Sequence, residues 1–375
     1  MSRKVLIVVG EASGDAQAAK LVAGMMEEEE GLSVYGVGGA AMRSVGVDTV
    51  FDAAGLSVMG FAELRGRLGA LWRCYRWLRE NLLSASPPDL LILVDFPDFN
   101  LRLARVAKKG GVPVFYYVSP QVWAWRAGRI RQIASRVDKM VVLFPFEESL
   151  YREAGLDTYF VGHPLAEEVV PTREASETRK IYGVDDDLPL VALLPGSRAR
   201  EVRTLLPIMT EAASRLVGRA RFLVAKAPGL DRNLIDELLR SNRLDMAVAE
   251  GDTYNVIAAA EVAVLSSGTA TVECALLGCP MVVMYRMSRL SYVLARALVR
   301  IPWIAMPNIV LGRQAVPELV QSKANTEELV RELEGLLESP ELRARVREEL
   351  GAVGERLVRP GAARRAARIA LDTMT

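Results

Sequence analysis

Leu90-Leu91-Ile92-Leu93-Val94-Asp95-Phe96-Pro97-Asp98-Phe99-Asn100 is the stretch that decides how this chain folds. Five consecutive aliphatic residues read as a strand buried on both faces, the kind that lies inside a parallel sheet covered by helices. Pro97 has no N–H to continue a ladder, and it biases Phe96 toward extended backbone. Asp98 and Asn100 stand where a helix running to about Lys109 begins, and Asp98 is read as its N-cap. In open α/β sheets, ligands bind beyond the carboxyl ends of the strands. Asp95 is delivered to that edge, and a carboxylate there is a natural proton acceptor.

Outward from this strand the same grammar repeats. Strand-like runs at 5–9, 33–37, 90–94, 114–118, 139–143 and 159–161 alternate with amphipathic helical patterns. A second series follows at 190–194, 221–224, 246–249, 262–265 and 280–284. Alternation of this kind implies parallel sheets with right-handed crossovers. Between the series, 164–187 lacks strand character and reads as a linker plus a first helix. The expected fold class is α/β, with two Rossmann-like domains whose parallel sheets face each other across a cleft. Residues 1–165 form the first domain and 166–345 the second, while helices in 346–375 return to the first.

Bulk properties narrow the function classes. At 375 residues two domains are the expectation. The 47 Lys and Arg against 46 Asp and Glu leave no net charge that calls for nucleic acid. Cys74, Cys274 and Cys279 form no metal-ligand spacing and fit reduced thiols of a cytoplasmic protein. No His/Asp/Glu cluster has metal spacing either, so no metal is expected. No run reaches ~18 apolar residues, so no membrane span is expected.

Each half has a glycine-containing turn directly after its first strand: Gly10-Glu11-Ala12-Ser13-Gly14-Asp15 and Pro195-Gly196-Ser197-Arg198. A helix start presents unpaired N–H groups and partial positive charge, which suits phosphate. Neither turn is a GxGxxG or Walker sequence, which argues against NAD and P-loop chemistry. The first reads equally well as an ordinary strand-to-helix turn. In the second, Arg198 adds a guanidinium able to hold two oxygens at once. Ser266-Ser267-Gly268-Thr269-Ala270-Thr271-Val272-Glu273 is more specific, because Ser267, Gly268 and Thr269 would put small donors at a helix start, ready for a diphosphate. Glu273, one turn in, is then placed to accept from ribose hydroxyls. Read alone these are simple caps and a first-turn acid; together with Arg198, the nucleotide reading is the better one.

Two further segments carry aromatics. Val58-Met59-Gly60-Phe61-Ala62-Glu63 leads into a helix with Phe61, Leu64, Leu68, Leu71, Tyr75 and Leu78 at helical spacing, flanked by Trp72, Trp77 and five arginines. Such a stripe is ordinary core or a helix resting in a lipid headgroup layer. Tyr116 to Arg126 is an aromatic-rich turn after a strand, either core or one wall of an acceptor pocket. His163, the only histidine, has no recognisable nucleophile and is given a contact role at best.

At this point the chain resembles the lipid-A-disaccharide synthases, inverting glycosyltransferases of GT-B architecture. The matching segments are GEASGD (10–15), VMGFAE (58–63), DFPDFN (95–100), YYVSPQVWAWR (116–126), FPFE (144–147), GHP (162–164), LPGSRAREV (194–202), SGTATVE (267–273), PMVVMYRM (280–287) and PNIVLGR (307–313). The resemblance implies that UDP-2,3-diacylglucosamine and 2,3-diacylglucosamine 1-phosphate are joined β-1′,6 with release of UDP. It implies no cofactor, and an enzyme on the cytoplasmic face of the inner membrane, attached peripherally. A homodimer exchanging terminal segments is also in keeping with the family. Asp95 matches the family's essential aspartate, the candidate general base on the acceptor 6-hydroxyl. Glu11 and Asn308 match positions tied to catalysis, and Gly196, Ser197, Arg198, Ser267, Gly268, Thr269 and Glu273 to the nucleotide sugar. Ser13, Met59, Phe61, Glu63, Leu64, Leu68, Leu71, Trp72 and Trp123 fall on the acceptor and membrane side. The sequence departs from the family at Ala16-Gln17, where a larger aliphatic residue is usual. Rival readings are another GT-B enzyme such as a UDP-N-acetylglucosamine 2-epimerase, and a non-catalytic membrane-associated UDP-binding module.

Overall fold

The computed structural model describes the chain except residues 1–2, 54–63, 121–127, 185–186, 242–245, 289–291, 293–295, 297–300 and 375, and describes only the backbone of 12–13 and 64–68. Its contacts divide the chain into two units, Met1–Pro164 with Arg359–Thr375, and Leu165–Val358.

The first unit runs β1 (Lys4–Val9), α1 (Ala12–Glu28), β2 (Ser33–Gly38), α2 (Ala40–Ser44), β3 (Asp48–Asp52), α3 (Leu64–Leu82), β4 (Leu90–Val94), α4 (Pro97–Lys109), β5 (Val114–Tyr117), α5 (Arg129–Ala134), β6 (Lys139–Val142), α6 (Pro145–Arg152) and β7 (Asp157–Phe160). Its seven strands are ordered β3-β2-β1-β4-β5-β6-β7, all paired in parallel. Leu90 through Val94 are wholly buried, as a strand sandwiched by helices requires. Each such side chain contributes about 1.5–3 kcal/mol by leaving water.

The second unit runs α7 (Leu165–Glu168), α8 (Ala175–Ile181), β8 (Leu190–Leu194), α9 (Ala199–Arg215), β9 (Arg221–Lys226), α10 (Arg232–Ser241), β10 (Val248–Glu250), α11 (Thr253–Ala259), β11 (Val262–Ser266), α12 (Ala270–Leu276), β12 (Met281–Tyr285), α13 (Met306–Leu311), β13 (Glu318–Val320), α14 (Thr326–Glu338) and α15 (Pro340–Leu357). Its six strands are ordered β10-β9-β8-β11-β12-β13. In each sheet the strand order reverses beside the first strand, between β1 and β4 and between β8 and β11. The crossovers leave in opposite directions there, and the loops at the carboxyl edge part to leave a crevice. Asp95 and Glu11 stand at the first of these points, and Arg198 and Gly268 at the second.

Two strands went unseen in the sequence, β3 and β13. In β3, Asp-Thr-Val-Phe-Asp alternates exposed and half-buried on a sheet edge, and β13 has three residues. The boundary near the end also differs from the expected 346. Helix α15 packs on α12, α13 and α14 and stays with the second unit. Only α16 (Ala362–Leu371) joins the first unit. It buries Ala362, Ala366, Ala367 and Ala370 in a cluster with Leu21, Val22 and Met25 of α1. The approach is close: a Cβ on Gly24 would lie 3.2 Å from that of Ala367.

Candidate functional site

At the end of β4 the backbone turns in an uncommon way. Asp95 has φ +46° and Phe96 φ +49°, so Phe96 is left-handed rather than extended. Neither residue is a glycine, and such positions cost on the order of 1–3 kcal/mol each unless their surroundings hold them. Those holding groups are visible. The Asp95 carbonyl accepts from Tyr116 Oη at 2.5 Å and from Asn100 Nδ2 at 2.7 Å. The Phe96 ring stacks on Phe99 at 5.1 Å. On its other side the ring fills the space above Gly10, where a Cβ would meet Phe96 Cγ at 2.4 Å. Gly10 of the first loop is therefore needed by the strand next door. Val118, at the end of β5, is also left-handed at φ +67°. Three of the four left-handed non-glycine residues lie at this sheet edge among the described residues, as expected where strain is kept for function.

The Asp95 carboxyl is raised above the ordinary aspartate value, first by burial and then by the charge of Glu11; a hydrogen bond from the Phe96 backbone opposes this. Glu11 is exposed at the N-cap position of α1, with no side-chain cap bond. A carboxylate shifted upward is a stronger base, suited to taking a proton from an alcohol. Asp98 is not the N-cap that the sequence suggested. Phe96 and Pro97 take the cap and first-turn positions, and Asp98 is mostly exposed and pairs with Arg129 at 2.8 Å.

Three supporting groups were given no role from the sequence. Asp15 is buried and accepts from Gly39 N at 2.6 Å and Ala41 N at 2.9 Å, capping α2. Glu147 is buried, accepts from Ser119 Oγ at 2.5 Å and Phe144 N at 3.0 Å, and so ties the segment after β5 to the start of α6. Tyr116 reads as core from its composition, and its hydroxyl on Asp95 appears only once β4 and β5 are paired. The Phe-Pro-x-Glu spacing at 144–147 is the cue for Glu147, since glutamate at the third helical position reaches back to the cap amide. His163 is buried with its ring 5.1 Å from Phe144.

In the second unit, Gly196 has φ +122° and leaves room for Glu201, whose Oε2 would lie 2.5 Å from an added Cβ. That carboxylate accepts from Ser197 N at 3.1 Å and Arg198 N at 3.3 Å. The Arg198 side chain is 81% exposed and touches Glu201 at 3.0 Å, so its guanidinium projects from the β8 loop. At the β11 end, Gly268 has open space around its α-carbon. Ser267 Oγ donates to Ile304 O at 2.8 Å, and Thr269 occupies the N-cap position of α12 without a side-chain cap bond. Ser266 Oγ is buried with no partner among the described residues. Burial, then the charge of Glu168, raises the Glu273 carboxyl. Asn308 is wholly buried. Its Nδ2 donates to Val316 O at 3.0 Å and Glu318 Oε1 at 2.8 Å, and its Oδ1 accepts from Ala315 N at 2.7 Å and Val316 N at 2.9 Å. An asparagine amide with four bonds has no capacity left for a ligand.

The stripe on α3 divides. Cys74, Leu78 and Leu82 are buried, and Trp77 packs edge-on to Phe51 at 5.6 Å. Leu71 is half-buried, while Trp72 is 62% exposed beneath Arg76. Met59, Phe61, Glu63 and Trp123 lie outside the described residues, as do the side chains of Ser13, Leu64 and Leu68. Among the described residues no group of His, Cys, Asp and Glu is arranged to hold a metal ion, and no helix is long and apolar enough to cross a membrane.

Known structures share this two-unit fold. A putative UDP-N-acetylglucosamine 2-epimerase from Listeria monocytogenes superposes with TM-score 0.63 at 13% identity, covering 99% of this chain and 95% of that one. CalG4, the calicheamicin glycosyltransferase, gives 0.59 at 15% identity, covering 99% and 98%. At such identities the likeness is one of fold: the protein is of the GT-B class. The sequence defines it further. The profile of the family described as Lipid-A-disaccharide synthetase matches residues 5–369. The lipid-A-disaccharide synthase of Syntrophus aciditrophicus (strain SB) is 46% identical over 374 residues, 99% of this chain and 97% of that protein. The namesake from Geobacter sulfurreducens is 41% identical over 376 residues, 100% and 98% of the two chains. The chain belongs to the lipid-A-disaccharide synthase family, and it is a glycosyltransferase with sugar-lipid substrates.

Proposed function

We propose that the enzyme joins UDP-2,3-diacylglucosamine to 2,3-diacylglucosamine 1-phosphate through a β-1′,6 bond, with Asp95 as general base. The observation that carries this reading is the held left-handed turn that presents a half-buried, upshifted carboxyl at the carboxyl edge of the sheet. The first unit takes the acceptor. Asp95 accepts the proton of the acceptor's primary hydroxyl as the C–O bond forms, an effect worth about 10²–10⁴-fold. A single displacement inverts the α-linked donor to the β product, and UDP departs.

The second unit takes the nucleotide sugar. Arg198 and the open amides around Gly268 meet the growing charge on the diphosphate. Glu273 accepts from the ribose, and Ser197, Ser267 and Thr269 shape the two loops. Asn308 acts as a positioning residue, because with Glu318 it holds the 304–305 segment on which Ser267 rests. Glu11 tunes Asp95 through charge. The enzyme works peripherally on the cytoplasmic face of the inner membrane with the α3 region toward the lipid, and as a homodimer.

Mass spectrometry of the lipid formed from the two acylated sugars tests the reaction. Asp95→Asn is expected to abolish product while UDP affinity, measured by calorimetry, stays within about twofold. Loss of both together would assign Asp95 to structure instead.

A further inference from the structure

A cavity of about 570 Å³ opens between α3, α4 and α5, outside every group assigned above to catalysis or to the nucleotide. Six cations line it: Arg79, Arg102, Arg105, Lys109, Arg129 and Arg136. Among the described residues Asp98 is the one carboxylate in the lining, and it is already paired with Arg129. Among the described residues, Arg79, Arg102, Arg105 and Lys109 have no carboxylate partner. Several arginines elsewhere are neutralised one by one. Arg215, Arg219, Arg232, Arg313 and Arg364 each sit on a glutamate or aspartate. A chain with formal net charge +1 has thus gathered uncompensated positive charge in one hollow.

The crowding is intrinsic to the fold. Asp98, Arg102, Arg105 and Lys109 recur at helical spacing on one face of α4, a row about 16 Å long at 1.5 Å per residue. Arg136 is fastened opposite them by its bond to Leu101 O at 3.0 Å. Burial and the neighbouring Arg105 both disfavour its charge. Like charges held this close call for an anion.

The rest of the lining says which kind. Leu83, Leu101, Val106 and Tyr75 supply an apolar surface beside the cations. Helix α3, which forms one wall, carries the exposed Trp72, with the Arg76 guanidinium 5.7 Å from its ring, and the exposed Leu83 follows its last residue. Tryptophan and arginine on an exposed helix face are the chemistry of a lipid–water interface. A row of this length exceeds what one inorganic phosphate spans.

We propose that this pocket binds the phosphoryl headgroup of an anionic lipid, with Arg102, Arg105 and Arg136 as its principal contacts. It is a lipid-recognition site separate from the reacting centre, and it needs none of the roles given to Asp95 or Arg198.

The test uses the full chain in sedimentation with phosphatidylcholine vesicles, with and without 30% phosphatidylglycerol. Binding to the anionic vesicles is expected, weakening steeply with salt, and R102Q/R105Q should partition about 10- to 30-fold less. R219Q/R232Q removes the same charge from the other unit and should partition like the parent. Equal loss in both double variants would reduce the effect to overall charge and overturn the proposal, as would no loss in the first. Release by inorganic phosphate beyond that by chloride of matched ionic strength would make the ligand a free anion and overturn it too. Acceptor presented in neutral detergent micelles separates the remaining source. An unchanged KM in R102Q/R105Q supports the proposal, whereas a raised KM at constant kcat would assign the pocket to the acceptor's own phosphate. Product formation in those micelles reports separately on the catalytic reading.

Discussion

Asp95 shows how a single residue is made reactive by its neighbours. Burial and Glu11 both disfavour its charge, so its carboxyl is raised above the ordinary value. The base must be ionised to work, so the acid limb of kcat/KM is expected above the usual carboxylate range. Glu11→Gln removes the like charge and should move that limb downward, which a pH–rate profile reads directly; an unmoved limb would detach Glu11 from Asp95. The same shift has a stability sign. A carboxyl that holds its proton longer in the fold than in the unfolded chain contributes fully below its unfolded value, and that contribution is lost as pH rises through the folded one. Asp95→Asn cannot ionise, so thermal melts should find it more stable than the parent at neutral pH, with the difference closing in acid. Gly10→Ala tests the turn itself. Its methyl would sit 2.4 Å from Phe96 Cγ, and overpacking of this kind costs about 1–3 kcal/mol. Activity should fall further than that loss alone predicts, because the displaced ring carries the Asp95 turn with it.

At the scale of elements, sequence pattern was surest where burial is complete, and the two strands it missed are only partly buried. Strands β1, β4, β8 and β11 are runs of aliphatic residues, and no surface segment has that composition. Edge strand β3 alternates and carries two aspartates, so its pairing to β2 is what makes it a strand. Helix α3 illustrates a subtler failure. Its stripe reads as one continuous face in the sequence, yet Leu78 is wholly buried, Leu71 only half-buried, and the flanking Trp72 62% exposed. Leu78→Ala should destabilise the protein by about 2–5 kcal/mol, while Trp72→Ser should stay within about 0.5 kcal/mol. Chemical denaturation compares them, and equal losses would place Trp72 in the core. Asp98 belongs here too: proline at the first helical turn left it facing Arg129, where sequence had suggested a cap.

Across the whole molecule, the chain ends by returning to where it began. The alanine face of α16 lies on α1, so the first unit is completed by residues more than three hundred positions away. Ala367→Leu puts a branched side chain where Gly24 leaves no space, and a cost of about 1–3 kcal/mol is expected. Hydrogen exchange should then show α1 losing protection while β8 and β11 keep theirs. Uniform loss in both units would mean that they unfold as one.

The sequence by itself determined the alternation of strands and helices, the two-unit plan, the loops that stand at each sheet's reversal and the family. These follow from local periodicity, from buried aliphatic runs and from motifs of a few adjacent residues, all of which survive being read in one dimension. Only the tertiary structure decided that Tyr116 and Asn100 hold the Asp95 carbonyl, that Gly10 exists for Phe96, and that the amide of Asn308 is spent within the fold. It alone gathered five cations from three helices, with Arg136 beyond the last of them, into one hollow. Hydrogen bonds and charge crowding depend on distances between segments far apart in the chain, and composition carries no record of those distances.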